Sequence, residues 1–259
     1  MQSSNPVLGR AFGNGKRGYA AFDPSSTTTQ VDSSQLEELY NAPAASSLRT
    51  GRMTIDDVVT RTGILFAVLV VTGAGAWTLN FGGGALMVGL LGGFVLAMVN
   101  SFSKTVRPAL IVAYAAFQGV TLGTLSHIYN SAYPGIVSQA VIATLCAFAG
   151  MLFAYRSGKI RVTPKFTRVM LGSLIGYLIL SVVTIFTGFP AGGLGLLIAV
   201  AGVGLASFFL VLDFDQIEKG IAAGAPQQES WRAAFGLMVT VVWLYLEVLR
   251  LLSILRSND

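Results

Sequence analysis

Residues 191–220 read AGGLGLLIAVAGVGLASFFLVLDFDQIEKG, and the change of character after Leu212 decides the fold. No residue from Ala191 to Leu212 carries a charge. At 1.5 Å per helical residue, a run of about twenty covers a hydrocarbon core of roughly 30 Å. The cluster that follows, Asp213, Asp215, Glu218 and Lys219, marks where such a segment would leave the apolar layer. Working outward, six further runs of this kind appear, Gly63 to Asn80, Ala85 to Ser103, Ala109 to Asn130, Ile136 to Tyr155, Val169 to Phe189 and Phe235 to Leu255. Of the 259 residues 53% are apolar and 11% charged, against roughly 25% charged in an ordinary globular domain. The expected class is an all-α integral membrane protein with seven transmembrane helices.

The connectors alternate in charge. Those after the first, third and fifth runs hold none, whereas the second holds Lys104 and Arg107 and the fourth holds Arg156, Lys159, Arg161, Lys165 and Arg168. The sixth carries Asp213, Asp215, Glu218, Lys219, Glu229 and Arg232. Basic loops stay in the cytoplasm, so the N-terminus is expected inside. The net charge of +5 is then topological, and no nucleic-acid partner is expected. Residues 1–52 are rich in Gly, Ser, Thr, Asn and Pro, which predicts a flexible cytoplasmic tail ahead of a membrane domain over 53–259. Within the tail, Ser34-Gln35-Leu36-Glu37 fits a capping box and a short amphipathic helix. Thr54-Ile55-Asp56-Asp57 fits a second, opening the first membrane helix. No signal peptide is apparent before it. The single cysteine, Cys146, excludes an intramolecular disulfide.

Ionisable residues at membrane depth are the functional candidates, because an ionised side chain at the bilayer centre costs at least about 2.5–3.5 kcal/mol. Asp213, Asp215, Glu247 and Arg250 qualify, with Arg107 at a helix end as a further partner. Glu247 and Arg250, three residues apart, share a helix face and can neutralise each other. Their presence puts the last helix at the centre of the bundle, and leaves open whether it crosses fully or turns back as a re-entrant segment. GxxxG pairs at Gly89/Gly93, Gly119/Gly123 and Gly172/Gly176 predict close helix packing. His127 falls at the outer end of the third run and reads as interfacial. No nucleophile–base pattern, HExxH motif or second histidine is present, so no enzymatic activity and no cofactor are expected.

Leu212-Asp213-Phe214-Asp215-Gln216-Ile217 and Trp243-Leu244-Tyr245-Leu246-Glu247-Val248-Leu249-Arg250-Leu251-Leu252 resemble the closing signature of the transmembrane Bax inhibitor motif family. Phe117-Gln118-Gly119-Val120-Thr121-Leu122-Gly123 is similar to that family's Glu-Gly-x-x-Leu-Gly element. The likeness extends over roughly Arg52 to Arg256. It implies three helical hairpins around a central C-terminal helix, and a pH-sensitive calcium leak in the bacterial plasma membrane. It further implies that Asp213 and Glu247 share a proton as the pH sensor and offer transient calcium ligands, while Arg107 latches Asp213. Two carboxyls within a few ångströms cannot both ionise cheaply, and such a pair titrates as a unit. The lipid bilayer, calcium ions and protons would be the partners, with calcium as the transported or regulatory ion. An alternative carried by the same likeness is a non-conducting regulator that binds a membrane protease or another membrane protein. Three features depart from the family pattern: Glu247 replaces the usual Asp, Gln118 replaces an acid, and the stretch between the two acids is longer.

Overall fold

The protein is described by a computed structural model covering residues 51–188, 190 and 192–257. The predicted tail up to Thr50 and the capping box at Ser34 lie outside the described residues. The chain forms α1 (Ile55–Thr78), α2 (Gly83–Phe102), α3 (Pro108–Ala132), α4 (Ile136–Arg156), α5 (Pro164–Thr187), α6 (Gly192–Ala222) and α7 (Glu229–Ser257). All seven are long and apolar enough to cross a membrane, so the expected class holds.

Local chemistry sets the helix ends. At α1 the Thr54 hydroxyl accepts from the Asp57 amide at 3.2 Å, while Asp57 Oδ2 accepts from the Thr54 amide at 3.1 Å. This is the predicted capping box, and it starts the helix eight residues before Gly63. Pro108 and Pro164 occupy first-turn positions in α3 and α5, where a missing amide proton costs nothing. The larger departure concerns α6, which continues through Asp213, Asp215, Glu218 and Lys219 to Ala222. Charge does not end a helix that has already reached water, and Asp215 pairs with Lys219 one turn on at 2.6 Å. Gly224 ends it, at φ +68°. The Ala225 amide donates to Gly220 O at 3.0 Å and the Gly224 amide to Ile221 O at 2.9 Å, a Schellman closure. Because α7 likewise begins at Glu229, the connection between the last two helices is a short turn.

That turn is tied to the start of α1. The Met53 amide donates to Ala225 O and the Gln227 amide to Gly51 O, both at 2.8 Å. Gln227 Nε2 donates to Asp57 Oδ1 at 2.8 Å. Arg61 donates to Gln227 O and Ser230 Oγ, and its guanidinium stacks 5.3 Å from the Trp231 ring centre.

Helix α7 is the axis of the bundle, packing chiefly against α1, α3, α4 and α6. Helices α2 and α5 stand outside, α2 on α3 and α5 on α6. Near one end of α7, Arg232 Nη2 donates to Ser103 O (3.0 Å) and Lys104 O (3.2 Å) in the basic α2–α3 connector. At the other, Arg256 donates to Pro134 O (2.7 Å) and Gln139 Oε1 (3.1 Å) beside the uncharged α3–α4 connector. The helix therefore runs from the charged face of the bundle to the uncharged one, and the re-entrant alternative is excluded. With 29 residues it spans about 43 Å. Between these ends the Ser126 and Tyr245 hydroxyls share a buried hydrogen bond of 2.7 Å, joining α3 to α7.

The GxxxG pairs divide. A Cβ built on Gly119 would lie 2.0 Å from Thr72 Oγ1, and one on Gly123 2.2 Å from Gly73 O, so α3 and α1 touch backbone to backbone. Gly89 similarly clears Thr121 of α3, its Cβ falling 2.5 Å from the Thr121 hydroxyl. Gly172 and Gly176 have nothing within 4 Å, and among the described residues of α5 none is buried. Their side of α5 lies open, with Ile175, Leu178, Ile179 and Val182 exposed.

Gly123→Ala is expected to destabilise the bundle by about 1–3 kcal/mol through overpacking. Gly172→Ala should be neutral or slightly stabilising, because alanine favours helix over glycine by about 1 kcal/mol. Thermal unfolding of both variants in one detergent measures the contrast. In a Cys146→Ala background, cysteines placed at Ser157 and Ser257 should react with an impermeant thiol reagent from opposite sides of sealed vesicles. Labelling from the same side would refute a full crossing by α7.

Candidate functional site

The interior acids lie along the seam between α6 and α7, which run antiparallel. Asp213 sits on α6 near the charged face, and its Oδ2 is buried without a hydrogen-bond partner. The Thr240 hydroxyl of α7 faces it and donates to Gly236 O of its own helix at 3.2 Å. Asp213 borders a cavity of about 220 Å³ whose wall includes Met53, Gln216, Glu229, Arg232 and Gly236. Arg232 and Glu229 form an ion pair of 3.0 Å on this wall, so the cavity carries one unpaired acid and one neutralised pair. An arginine thus borders the cavity of Asp213, but it is not Arg107. Arg107 is exposed as the residue capping α3 and does not line this cavity. The signal for Arg232 was its spacing from Glu229, i and i+3 in a charged stretch, visible only once that stretch is read as helix.

Glu247 lies deeper, with its side chain 8% exposed. Its Oε1 accepts from Trp243 Nε1 at 3.1 Å. Its Oε2 lies 3.5 Å from Arg250 Nη1, an ion-pair separation that lacks hydrogen-bond geometry. Arg250 Nη1 also donates to the Tyr177 hydroxyl at 3.4 Å, which brings α5 into the site. Gly202 of α6 makes room for this group, since a Cβ there would fall 2.5 Å from both Glu247 Oε2 and the Tyr177 hydroxyl. The Tyr177 and Trp243 rings meet at 5.9 Å and complete an aromatic wall around the carboxylate. Neutralisation of Glu247 by Arg250, expected from their spacing, is therefore present.

The expected sharing of a proton between Asp213 and Glu247 is not seen in this conformation. Asp213 faces Thr240, whereas Glu247 lies seven residues further along α7, about 10 Å. On α6 the levels of Gly202 and Asp213 differ by eleven residues, about 16 Å. Register explains this: in an antiparallel pair, moving the two acids together requires α6 and α7 to slide by about two to three turns. The longer reach of Glu over Asp does not close such a gap. Asp215 is taken by Lys219 and points away from the seam, toward a second and larger cavity. His127 packs edge-on against Trp77 with ring centres 5.3 Å apart. Gln118 borders Gly93 of α2. Among the described residues no three His, Cys, Asp or Glu side chains gather into a metal-binding set. A cation entering the seam would thus meet its interior carboxylates one at a time.

The description "Bax inhibitor 1 like" belongs to a protein family whose sequence model matches residues 5–257. No curated protein matches the chain.

Gly202→Ala is expected to push the Glu247 carboxylate and the Tyr177 hydroxyl apart and to cost about 1–3 kcal/mol. Because Trp243 donates to that carboxylate, the same variant should shift the tryptophan emission maximum. Gly204→Ala, where nothing lies within 4 Å, should change neither quantity.

Proposed function

We propose, from the premise that this chain belongs to the Bax inhibitor 1 like family, that it is a pH-sensitive leak for calcium ions along the α6–α7 seam. The observation that carries this reading is the buried, unpartnered Oδ2 of Asp213 beside a cavity at the charged face. Burying a carboxylate oxygen without a donor is costly, and a passing cation offsets that cost only while it is present. Asp213 then acts as the first station and Glu247 as the second, about two to three helical turns deeper. At Glu247 the ion must compete with Arg250, 3.5 Å from Oε2. Calcium is held well by six to eight oxygens at 2.3–2.6 Å, so single carboxylates bind it weakly and release it. Weak sites in series are what conduction requires. The basic connectors are cytoplasmic in this reading, which sets Asp213 at the cytoplasmic mouth of a plasma-membrane protein.

Protons compete with calcium for the same oxygens. A protonated carboxyl has lost the charge that attracts the ion, so flux rises with pH as Asp213 loses its proton. Purified full-length protein in liposomes loaded with a calcium dye should give a leak that rises with pH. Asp213→Asn should reduce the flux several-fold and flatten its pH profile. Glu247→Gln should also lower the flux while keeping an amide oxygen for Trp243. If Asp213→Asn retains the wild-type pH response, the carboxylate mechanism fails. If the wild-type protein carries no flux, the leak itself fails, and the regulatory, partner-binding alternative takes its place.

A further inference from the structure

A second cavity, of about 840 Å³, adjoins that of Asp213 at Ile217. It lies at the charged end of the bundle between α1 and α4. These helices both pack on α7 but not closely on each other. Val58 of α1, Phe148 and Leu152 of α4, Phe214 and Ile217 of α6, and Leu237 of α7 form its apolar wall. Ile55 and Val59, both 64% exposed, stand at the side of α1 that borders it. An apolar space between membrane helices suits a lipid chain better than water, and its volume lies within the range of about 300–1,000 Å³ typical of ligand pockets.

The rim carries charge. Arg156, the last residue of α4, and Arg161 of the α4–α5 connector both border the cavity. Both are exposed, and among the described residues neither has an ion-pair or hydrogen-bond partner. The acids on the same rim are engaged elsewhere. Glu218 accepts from the Tyr155 hydroxyl, and Asp215 is paired with Lys219 at 2.6 Å. Two unengaged guanidinium groups therefore stand where α4 ends, on the rim of an apolar slot. Arginine is the side chain best suited to bind phosphate oxygens in pairs. Basic pockets between transmembrane helices are recognised sites for anionic headgroups.

We propose that this cavity seats one anionic phospholipid, its phosphate between Arg156 and Arg161 and an acyl chain along Val58, Leu152, Ile217 and Leu237. Phe214 and Ile217 follow Asp213 on α6, so the seated chain would brace the part of α6 that bears that carboxylate. The seat shares Ile217 with the wall of the Asp213 cavity, but its charged residues, Arg156 and Arg161, lie outside the seam, so its test is separate from that of the calcium reading.

Native mass spectrometry of the full-length protein, equilibrated in detergent with equal phosphatidylglycerol and phosphatidylcholine, provides the test. One phosphatidylglycerol per chain should be retained in preference to phosphatidylcholine. Arg156→Gln with Arg161→Gln should weaken retention by roughly fivefold for each arginine removed. Lys165→Gln with Arg168→Gln removes the same charge from the same segment but from residues that do not line the cavity, and should have little effect. Leu152→Trp, which fills the slot without altering charge, should also lower retention. Circular dichroism confirms that each variant is folded. Equal retention of the two lipids, equal loss in both double variants, or complete displacement of phosphatidylglycerol by inorganic phosphate would each overturn the proposal. The last outcome would mean a phosphate site with no role for the apolar slot.

Discussion

Glu247 lies on the last helix at a depth where an ionised carboxylate facing lipid would cost at least about 2.5–3.5 kcal/mol, and shielding it constrains the whole bundle. Helix α7 must be central, so α1, α3, α4 and α6 surround it. Within that ring the carboxylate needs donors and a counter-charge, which Trp243 and Arg250 provide from its own helix. It also needs space, which Gly202 leaves on α6. Tyr177 reaches the group from α5, and this gives an otherwise lipid-exposed helix a polar attachment to the interior. In a bilayer, where lipid tails are as apolar as leucine, such attachments and close backbone approach replace the hydrophobic drive of a soluble core.

Close approach dominates on the other side of the bundle. Gly119 and Gly123 let α3 meet α1 at Thr72 and Gly73, and Ser126 ties α3 to α7 through Tyr245. At the charged face the turn between α6 and α7 is bonded to the start of α1 through Gly51, Met53, Asp57 and Arg61. The two helices that carry the interior acids thus share their connecting turn with the residues just before the first membrane helix. Any movement of α6 against α7 is transmitted there first, because the turn is too short to absorb it.

Periodicity of charge and apolar length was legible enough to count seven helices and to separate a charged from an uncharged face. It failed at the ends of α6 and α7. The change from apolar to charged residues marks where a helix leaves the lipid, not where its hydrogen bonding stops, and here a glycine at φ +68° stops it. The GxxxG pairs show the same limit. Gly123 and Gly172 sit in equal motifs, yet one meets a neighbouring backbone and the other nothing. The spacing reports that a helix offers a flat strip, and only the neighbour's position decides whether the strip is used.

Sequence by itself determined the membrane class, the two-faced distribution of charge, the capping box at Thr54 and the pairing of Glu247 with Arg250. Each of these depends on residues within a helical turn or on a run along a single helix. The meeting of Asp213 with Thr240 rather than Glu247, the placing of Arg232 on the wall of the Asp213 cavity, the passage of α7 through the bundle and the slot between α1 and α4 were decided by tertiary structure. Those features depend on the axial register and azimuth of helices far apart in the chain. A slide of about two to three turns leaves every local pattern intact while changing which side chains face each other.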